Sequence, residues 1–312
     1  MGQEVLVASR LYPPTLATLE QRFTCHHLWQ AEDRTALLTS LAGRVRAIAV
    51  SGGVGADAAV MDALPGLEVI ACFGVGVDAV DLAAAAARGI RVTNTPDVLS
   101  DEVADLTIGL MLATVRQIVT ADRFVRAGRW LQGPLPLNRC LTGKTLGILG
   151  LGRIGREIAA RAAAMKMQIA YHSRRPVADV PYRYLASPVA LADVADVLVV
   201  ITPGGSETRH IVDERVLAAL GPEGTLINVA RGSCVDQTAL VRALVERRIA
   251  GAGLDVFEDE PQVPEALLSL DTVVLQPHQA SGTVETRTAM GQLMVDNLIA
   301  WAEGRPLLTP VV

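Results

Sequence analysis

Thr145-Leu146-Gly147-Ile148-Leu149-Gly150-Leu151-Gly152-Arg153-Ile154-Gly155 decides the fold, because an apolar strand runs straight into G-x-G-x-x-G and then into the Ala-rich stretch Arg156 to Met165. Gly150 permits a tight turn, Gly152 lets backbone approach a phosphate, and Gly155 lets the following helix pack on the strand. The N–H groups that open the helix add partial positive charge, so the run, with Leu151, Arg153 and Ile154 between its glycines, is a candidate pyrophosphate site. Glycine alone is weak support, since the chain holds 27 of them. A second strand at Gln168 to His172 completes the βαβ unit that the motif requires.

The residue that chooses between dinucleotides lies about 20 positions past the first glycine, where an acidic side chain would hold the ribose hydroxyls of NAD. Between Glu157 and Asp179 there is no Asp or Glu, and the strand ends in His172-Ser173-Arg174-Arg175-Pro176. Ser173 can donate to a 2'-phosphate, and the guanidinium forks of Arg174 and Arg175 suit a phosphate dianion. NADP(H) is therefore expected in preference to NAD(H). A solvated basic turn is the plain alternative.

Composition limits the other possibilities. The chain has 312 residues, half of them apolar and only 4% aromatic, with net charge -5. Two domains with an aliphatic core are expected, and the acidic balance argues against a nucleic-acid surface. No apolar run reaches 18 residues and no charged-then-apolar leader precedes the strand at Val5 to Ala8, so neither a membrane span nor export is expected and the cytoplasm is the expected compartment. Cys25, Cys72, Cys140 and Cys234 show no C-x-x-C spacing. Reduced thiols follow, with no disulfide framework and no metal site.

Along the chain, strand-like segments at 4–8, 25–28, 46–50, 68–71 and 90–93 alternate with helical ones near 14–22, 32–41, 56–63 and 80–88, which predicts a first parallel-sheet domain. A long helix is expected from the cap-like Ser100 to about Ala127, with Val103, Leu106, Leu110, Met111 and Val115 on its apolar face. Strands at 145–149, 168–172, 197–201, 225–229, 252–256 and 273–275 follow, and Val284 to Glu303 reads as a helix returning to the first domain. The fold class is α/β, with two Rossmann-like or flavodoxin-like parallel sheets. The dinucleotide-binding domain, 100–282, is inserted into a substrate-binding lid made of 1–99 and 283–312, with hinges near 97–100 and 280–284.

Ligands of open parallel sheets bind beyond the carboxyl ends of the strands. Arg231 follows the strand Leu226 to Val229, Asp255 ends Ala252-Gly253-Leu254-Asp255, Glu260 lies in the next loop, and His278 follows Val273 to Pro277. Singly they read as a surface charge, a turn cap or a buried histidine. Together they offer what reduction of a 2-oxo acid needs: a cation for carboxylate and carbonyl, a proton donor that titrates near neutrality, and an anion to orient that donor.

Three further segments carry a resemblance: Asn228-Val229-Ala230-Arg231-Gly232, Gly253-Leu254-Asp255-Val256-Phe257-Glu258-Asp259-Glu260-Pro261 and Gln276-Pro277-His278-Gln279-Ala280-Ser281-Gly282-Thr283. The series resembles the signatures of the D-isomer-specific 2-hydroxyacid dehydrogenases, over nearly the whole chain. Phe73-Gly74-Val75-Gly76-Val77-Asp78 resembles the family's substrate-carboxylate loop, and Arg129-Trp130 resembles its NADPH-linked glyoxylate, hydroxypyruvate and hydroxyphenylpyruvate reductases.

The resemblance implies that Arg231 binds substrate, Glu260 orients His278, and His278 donates the proton. It also implies that the Val75 and Gly76 amides receive the substrate carboxylate on domain closure, and that a homodimer forms through the 101–127 helix, with Trp130 reaching toward a partner. Thr202, Pro203 and Val229 are expected to line the cofactor, and Asp255 to stand on the nicotinamide side or behind it. Ser51, Gly52 and Phe73 should border the substrate side chain. Small residues at 51–53 leave room that Phe73 takes away, which favours glyoxylate and hydroxypyruvate, with hydroxyphenylpyruvate next. Glu260 argues against the formate dehydrogenase branch. A nucleotide-gated, corepressor-like scaffold is the alternative from another class.

Overall fold

A computed structural model describes residues 3–312. The chain divides into two compact units, one of the residues up to Leu99 together with Thr283–Val312, the other of Ser100–Gly282.

The first unit opens with β1 (Glu4–Val7), α1 (Pro13–Arg22), β2 (Thr24–His27), α2 (Arg34–Leu41), β3 (Ala47–Ser51), α3 (Ala58–Ala63), β4 (Val69–Phe73), α4 (Leu82–Ala87) and β5 (Arg91–Thr93). Its strands pair in parallel in the order β2-β1-β3-β4-β5. Val5, Leu6, Ile48, Val50 and Ile70 are fully buried, as strands covered on both faces require. Helix starts follow from side chains: Asp33, Asp57 and Asp81 accept the amides of Ala36, Val60 and Ala84 and cap α2, α3 and α4. The sheet grows from β1 to β2 on one side and from β1 to β3 on the other, so its topological switch lies at the carboxyl ends of β1 and β3.

The second unit contains α5 (Ser100–Val115), α6 (Ile118–Arg126), β6 (Thr145–Leu149), α7 (Arg153–Ala164), β7 (Gln168–His172), β8 (Arg183–Tyr184), α8 (Pro188–Val194), β9 (Val197–Val200), α9 (Glu214–Leu220), β10 (Thr225–Asn228), α10 (Gln237–Val245), β11 (Gly251–Leu254), α11 (Glu265–Leu268) and β12 (Val273–Leu275). The seven strands are parallel in the order β12-β11-β10-β9-β6-β7-β8, with the switch between β6 and β9. Strand β8, absent from the sequence reading, is a two-residue edge beside Ala170 and Tyr171. It is too short to show a period.

The single helix expected over 100–127 is two. Gln117 takes a left-handed φ of 49° and the axis bends by 57°. The apolar stripe expected to pair subunits is used internally: Val103, Leu110 and Met111 are buried, and a Cβ on Gly253 of β11 would lie 2.7 Å from Leu110 and 2.8 Å from Thr114. Helix α5 therefore lies directly on the sheet. No described helix is long and apolar enough by itself to cross a membrane.

The chain rejoins the first unit in α12 (Val284–Ala302), capped by Thr283, which accepts the amide of Thr286. Trp301 donates its indole N–H to Glu68 at 2.8 Å. Buried Asn297 accepts the amides of Leu308 and Thr309 and donates to Thr309 Oγ1, which in turn donates to the Asn94 carbonyl. The last residues run antiparallel to β5, with Val311 N–H on the Val92 carbonyl at 2.7 Å and Val92 N–H on that of Val312 at 3.1 Å.

Candidate active site

In the second unit, Gly150 sits at φ 107° at the carboxyl end of β6, where a Cβ would lie 2.8 Å from the Ile201 carbonyl oxygen. A Cβ on Gly155 would fall 2.2 Å from the Gly150 oxygen, so α7 touches the turn through this residue. At Gly152 a Cβ would meet nothing within 4 Å. The space there is open, and it faces the start of α7, which has no side-chain cap. Helices α8, α9 and α10 of the same unit are capped by Ser187, Asp213 and Asp236. The amides that open α7 are the ones free of a side-chain cap to donate to an external anion. Arg153 and Ile154 form the first turn, while Leu151 contributes backbone and buries its side chain.

At the end of β7, Ser173 Oγ donates to the Arg175 carbonyl at 2.6 Å, which tightens the turn. Arg174 and Arg175 are exposed. Arg174 Nη1 stands 3.4 Å from Glu207, an anion 33 positions away that sequence proximity does not reveal. Across the switch, Pro203 accepts from Thr208 Oγ1 at 2.6 Å, Thr202 Oγ1 lies 3.5 Å from Cys234 Sγ, and Val229, just after β10, donates its amide to the Val200 carbonyl. An open glycine, uncapped amides and a basic turn fit a dinucleotide with a 2'-phosphate.

The acid–base pair is formed. His278 Nδ1 lies 2.8 Å from Glu260 Oε2, and Glu260 Oε1 accepts the Phe257 amide at 3.1 Å. Burial pushes the Glu260 carboxyl up, but the His278 hydrogen bond and charge, the Phe257 amide and the Arg231 charge outweigh it and hold the group below its ordinary 4.5. Glu260 is thus a carboxylate at neutral pH. His278 has 46% of its side chain exposed, and with Nδ1 on Glu260 its Nε2 is the atom left to exchange a proton with a substrate.

Backbone geometry builds Arg231 in beside them. Asn228, buried at the end of β10, accepts the Ala230 amide and donates to the Arg231 carbonyl, folding the turn. A Cβ on Gly232 would lie 1.9 Å from the Phe257 carbonyl carbon. Only glycine lets the Arg231 turn press onto the loop that leads to Glu260.

Asp255, expected on the nicotinamide side or behind it, is fully buried. Its two oxygens accept the amides of Gln279 and Ala280 at 2.6 and 2.9 Å, and its carbonyl accepts that of His278 at 2.8 Å. Burial raises its pKa, the two amides and the His278 charge opposing. The carboxyl is a clamp for the turn in which His278 holds φ 54°.

The sequence reading missed a second set. Glu258 accepts from Arg209 Nη2 and His210 Nε2, each at 2.9 Å, while its amide donates to Gln237. These contacts tie together the loops after β9, β10 and β11. Adjacent acidic residues at 258–260 gave no sign of which one faces the histidine.

In the first unit, Ser51 N–H donates to Ser9 Oγ at 2.8 Å, and a Cβ on Gly52 would stand 2.8 Å from the Gly76 oxygen. Phe73 is buried, with the Arg287 guanidinium 5.8 Å from its ring centroid. Asn94 donates to the Val75 carbonyl, and Thr95 Oγ1 accepts the Gly74 amide. No group among the described residues accepts the N–H of Val75 or Gly76.

These parts define an oxidoreductase that pairs a dinucleotide with an acid–base histidine. A family model described as the NAD binding domain of D-isomer specific 2-hydroxyacid dehydrogenases matches residues 108–280. Glyoxylate/hydroxypyruvate reductase A of Arabidopsis thaliana is 50% identical over 294 residues, 94% of each chain. The 2-ketogluconate reductase of Gluconobacter oxydans is 46% identical over 309 residues, 99% of this chain and 98% of its own. An NADPH-dependent glyoxylate/hydroxypyruvate reductase of Sinorhizobium meliloti, solved with NADP and malonate, superposes with TM-score 0.94 at 49% identity, covering 100% of this chain and 97% of that one. The chain belongs to the D-isomer-specific 2-hydroxyacid dehydrogenase family, and the scaffold alternative finds no support among these enzymes.

Proposed function

We propose that this chain reduces glyoxylate and hydroxypyruvate to their 2-hydroxy acids with NADPH, giving the D isomer where a stereocentre forms. The Glu260–His278 hydrogen bond with Arg231 beside it carries the reading. NADPH, when bound, supplies the hydride. Its pyrophosphate is assigned to the turn of Gly150, Leu151, Gly152, Arg153, Ile154 and Gly155, which is open at Gly152, and its 2'-phosphate to Ser173, Arg174 and Arg175. Thr202, Pro203 and Val229 line the path, and Asp255 acts through the turn it clamps.

Arg231 grips the substrate carboxylate and carbonyl, drawing charge toward the oxygen that becomes the hydroxyl. His278 delivers its Nε2 proton to that oxygen, and Glu260 stabilises the protonated ring beforehand. The unclaimed amides of Val75 and Gly76 suit a carboxylate, with Ser51, Gly52 and Phe73 along the side chain. The 1–99 and 283–312 domain is the lid, 100–282 the dinucleotide domain, and the hinges lie near 97–100 and 280–284.

The active form is a homodimer. Helix α6 exposes Ile118, Val119 and Val125, and the residues after it expose Trp130 at 68% and Leu131 at 95%. Exposed large apolar side chains gathered within so short a stretch are what a partner covers. The compartment is the cytoplasm, where thiols such as the four free cysteines stay reduced.

A steady-state panel of glyoxylate, hydroxypyruvate and hydroxyphenylpyruvate with NADPH and NADH tests the assignment. The first two with NADPH are expected to lead, and exclusive use of hydroxyphenylpyruvate would replace them by the aromatic acid.

A further inference from the structure

Because every strand of the first sheet is parallel, the carboxyl ends of β2, β1, β3 and β4 line one edge in that order. Trp29 follows β2, Arg10 follows β1, Ser51 ends β3 with Gly52-Gly53 after it, and Val75-Gly76 follow β4. The topological switch of this unit falls between Arg10 and Ser51, the place where an open α/β sheet offers its crevice. The loops on either side are pinned by Ser51 N–H on Ser9 Oγ at 2.8 Å.

Arg10 is exposed, and its guanidinium rests 5.1 Å from the Trp29 ring centroid. It makes no hydrogen bond or ion pair among the described residues, so its fork of N–H donors is open. The Trp29 Nε1 atom is buried without a partner. In the strand order the end of β3, with Ser51, Gly52 and Gly53, lies between Arg10 and Val75, and a Cβ on Gly53 would meet nothing within 4 Å.

We infer that Arg10, seated on Trp29, is a distal subsite for the hydroxylated tail of a five- or six-carbon 2-oxo acid. The inference rests on the carboxylate being held at Val75 and Gly76, as proposed above. Strands stand about 4.8 Å apart, so β4 lies roughly 10 Å from β1, which leads to Arg10, and roughly 14 Å from β2, which leads to the Trp29 ring under its guanidinium. An extended six-carbon acid spans roughly 7 Å on ordinary bond lengths, and a hydrogen bond of about 2.9 Å at each end brings its reach to roughly 13 Å, inside that interval. Two- and three-carbon acids stop short of Arg10. The shelf at Ser51 to Gly53 therefore serves long acids, and the amides serve all of them.

The test compares wild type with Arg10→Ala and Arg10→Lys on glyoxylate, hydroxypyruvate and 2-ketogluconate under NADPH. Wild type is expected to reduce all three. Arg10→Ala should lower kcat/KM for 2-ketogluconate by about 10-fold, mostly through KM, as loss of charge-assisted hydrogen bonds implies. Arg10→Lys should recover part of that, and glyoxylate should change less than twofold in either variant. Wild type that reduces glyoxylate but not 2-ketogluconate would overturn the subsite and leave the proposed function standing, and so would an equal loss on all three acids in Arg10→Ala. Failure of wild type on every acid would overturn the proposed function and the subsite with it.

Discussion

At the residue scale the acid–base pair makes two expectations. His278→Ala removes the donor, and kcat for reduction should fall roughly 100-fold or more, the usual scale for a positioned general acid, with cofactor affinity unchanged. Single-turnover and fluorescence titration data would separate the two. Glu260 has its folded-state pKa depressed below 4.5 by the His278 contact, the Phe257 amide and Arg231 against the cost of burial. A depressed carboxyl stabilises the fold above its unfolded pKa and loses that contribution as pH falls through the folded value. The stability lead of wild type over Glu260→Gln should thus be full at pH 7 and shrink once pH drops below about 4.5, read as Tm against pH. A lead that stayed constant down to acid pH would mean that the carboxylate is not held by these partners. Asp255 shows what a sequence hides at this scale: its position at the end of β11 is plain, but its burial under the 278–280 turn depends on a loop 24 residues away.

At the element scale, two glycines of one motif should behave differently. Gly155→Ala places a Cβ 2.2 Å from the Gly150 oxygen, so the protein itself is expected to lose about 1–3 kcal/mol, as overpacked sites do. Gly152→Ala has free space and should leave Tm alone while weakening NADPH binding about 10-fold or more, as the loss of close phosphate contact implies. Equal destabilisation by both would contradict the open space at Gly152. The basic turn gives a third expectation: changing Arg174 and Arg175 together to Ala should erase most of an NADPH preference of about 10-fold, with NADH use nearly intact. Nearly all strands could be read from apolar runs, because buried parallel strands are continuous and bounded by turn residues. The kink after Val115 could not, since Arg116-Gln117 carries no glycine or proline, and neither could β8, whose two residues offer no period. Of the site, residues named by local pattern were legible, whereas Glu258, Glu207 and Arg10 gain their partners only through long-range packing.

For the whole molecule, the exposed apolar face from Ile118 to Leu131 predicts association. Light scattering at micromolar concentration should report twice the chain mass of 33.0 kDa, and Leu131→Asp with Val125→Asp should shift it toward one chain. A single-chain mass for wild type would reject the dimer. The end of the chain has a different consequence, one of timing. Trp301 meets Glu68 across 233 positions and Thr309 meets Asn94 across 215, with the whole Ser100–Gly282 unit lying between these partners in sequence. During synthesis the inner unit has all its strands before the outer one receives its last helix and edge. The outer sheet must then wait, with β5 unpaired on one side, until residues 309–312 have been made. Contacts this distant form slowly, and an exposed strand edge is an aggregation hazard while it lasts. Nascent chains halted just after Gly282 should accordingly protect the inner unit from protease and leave the first 99 residues open to cleavage.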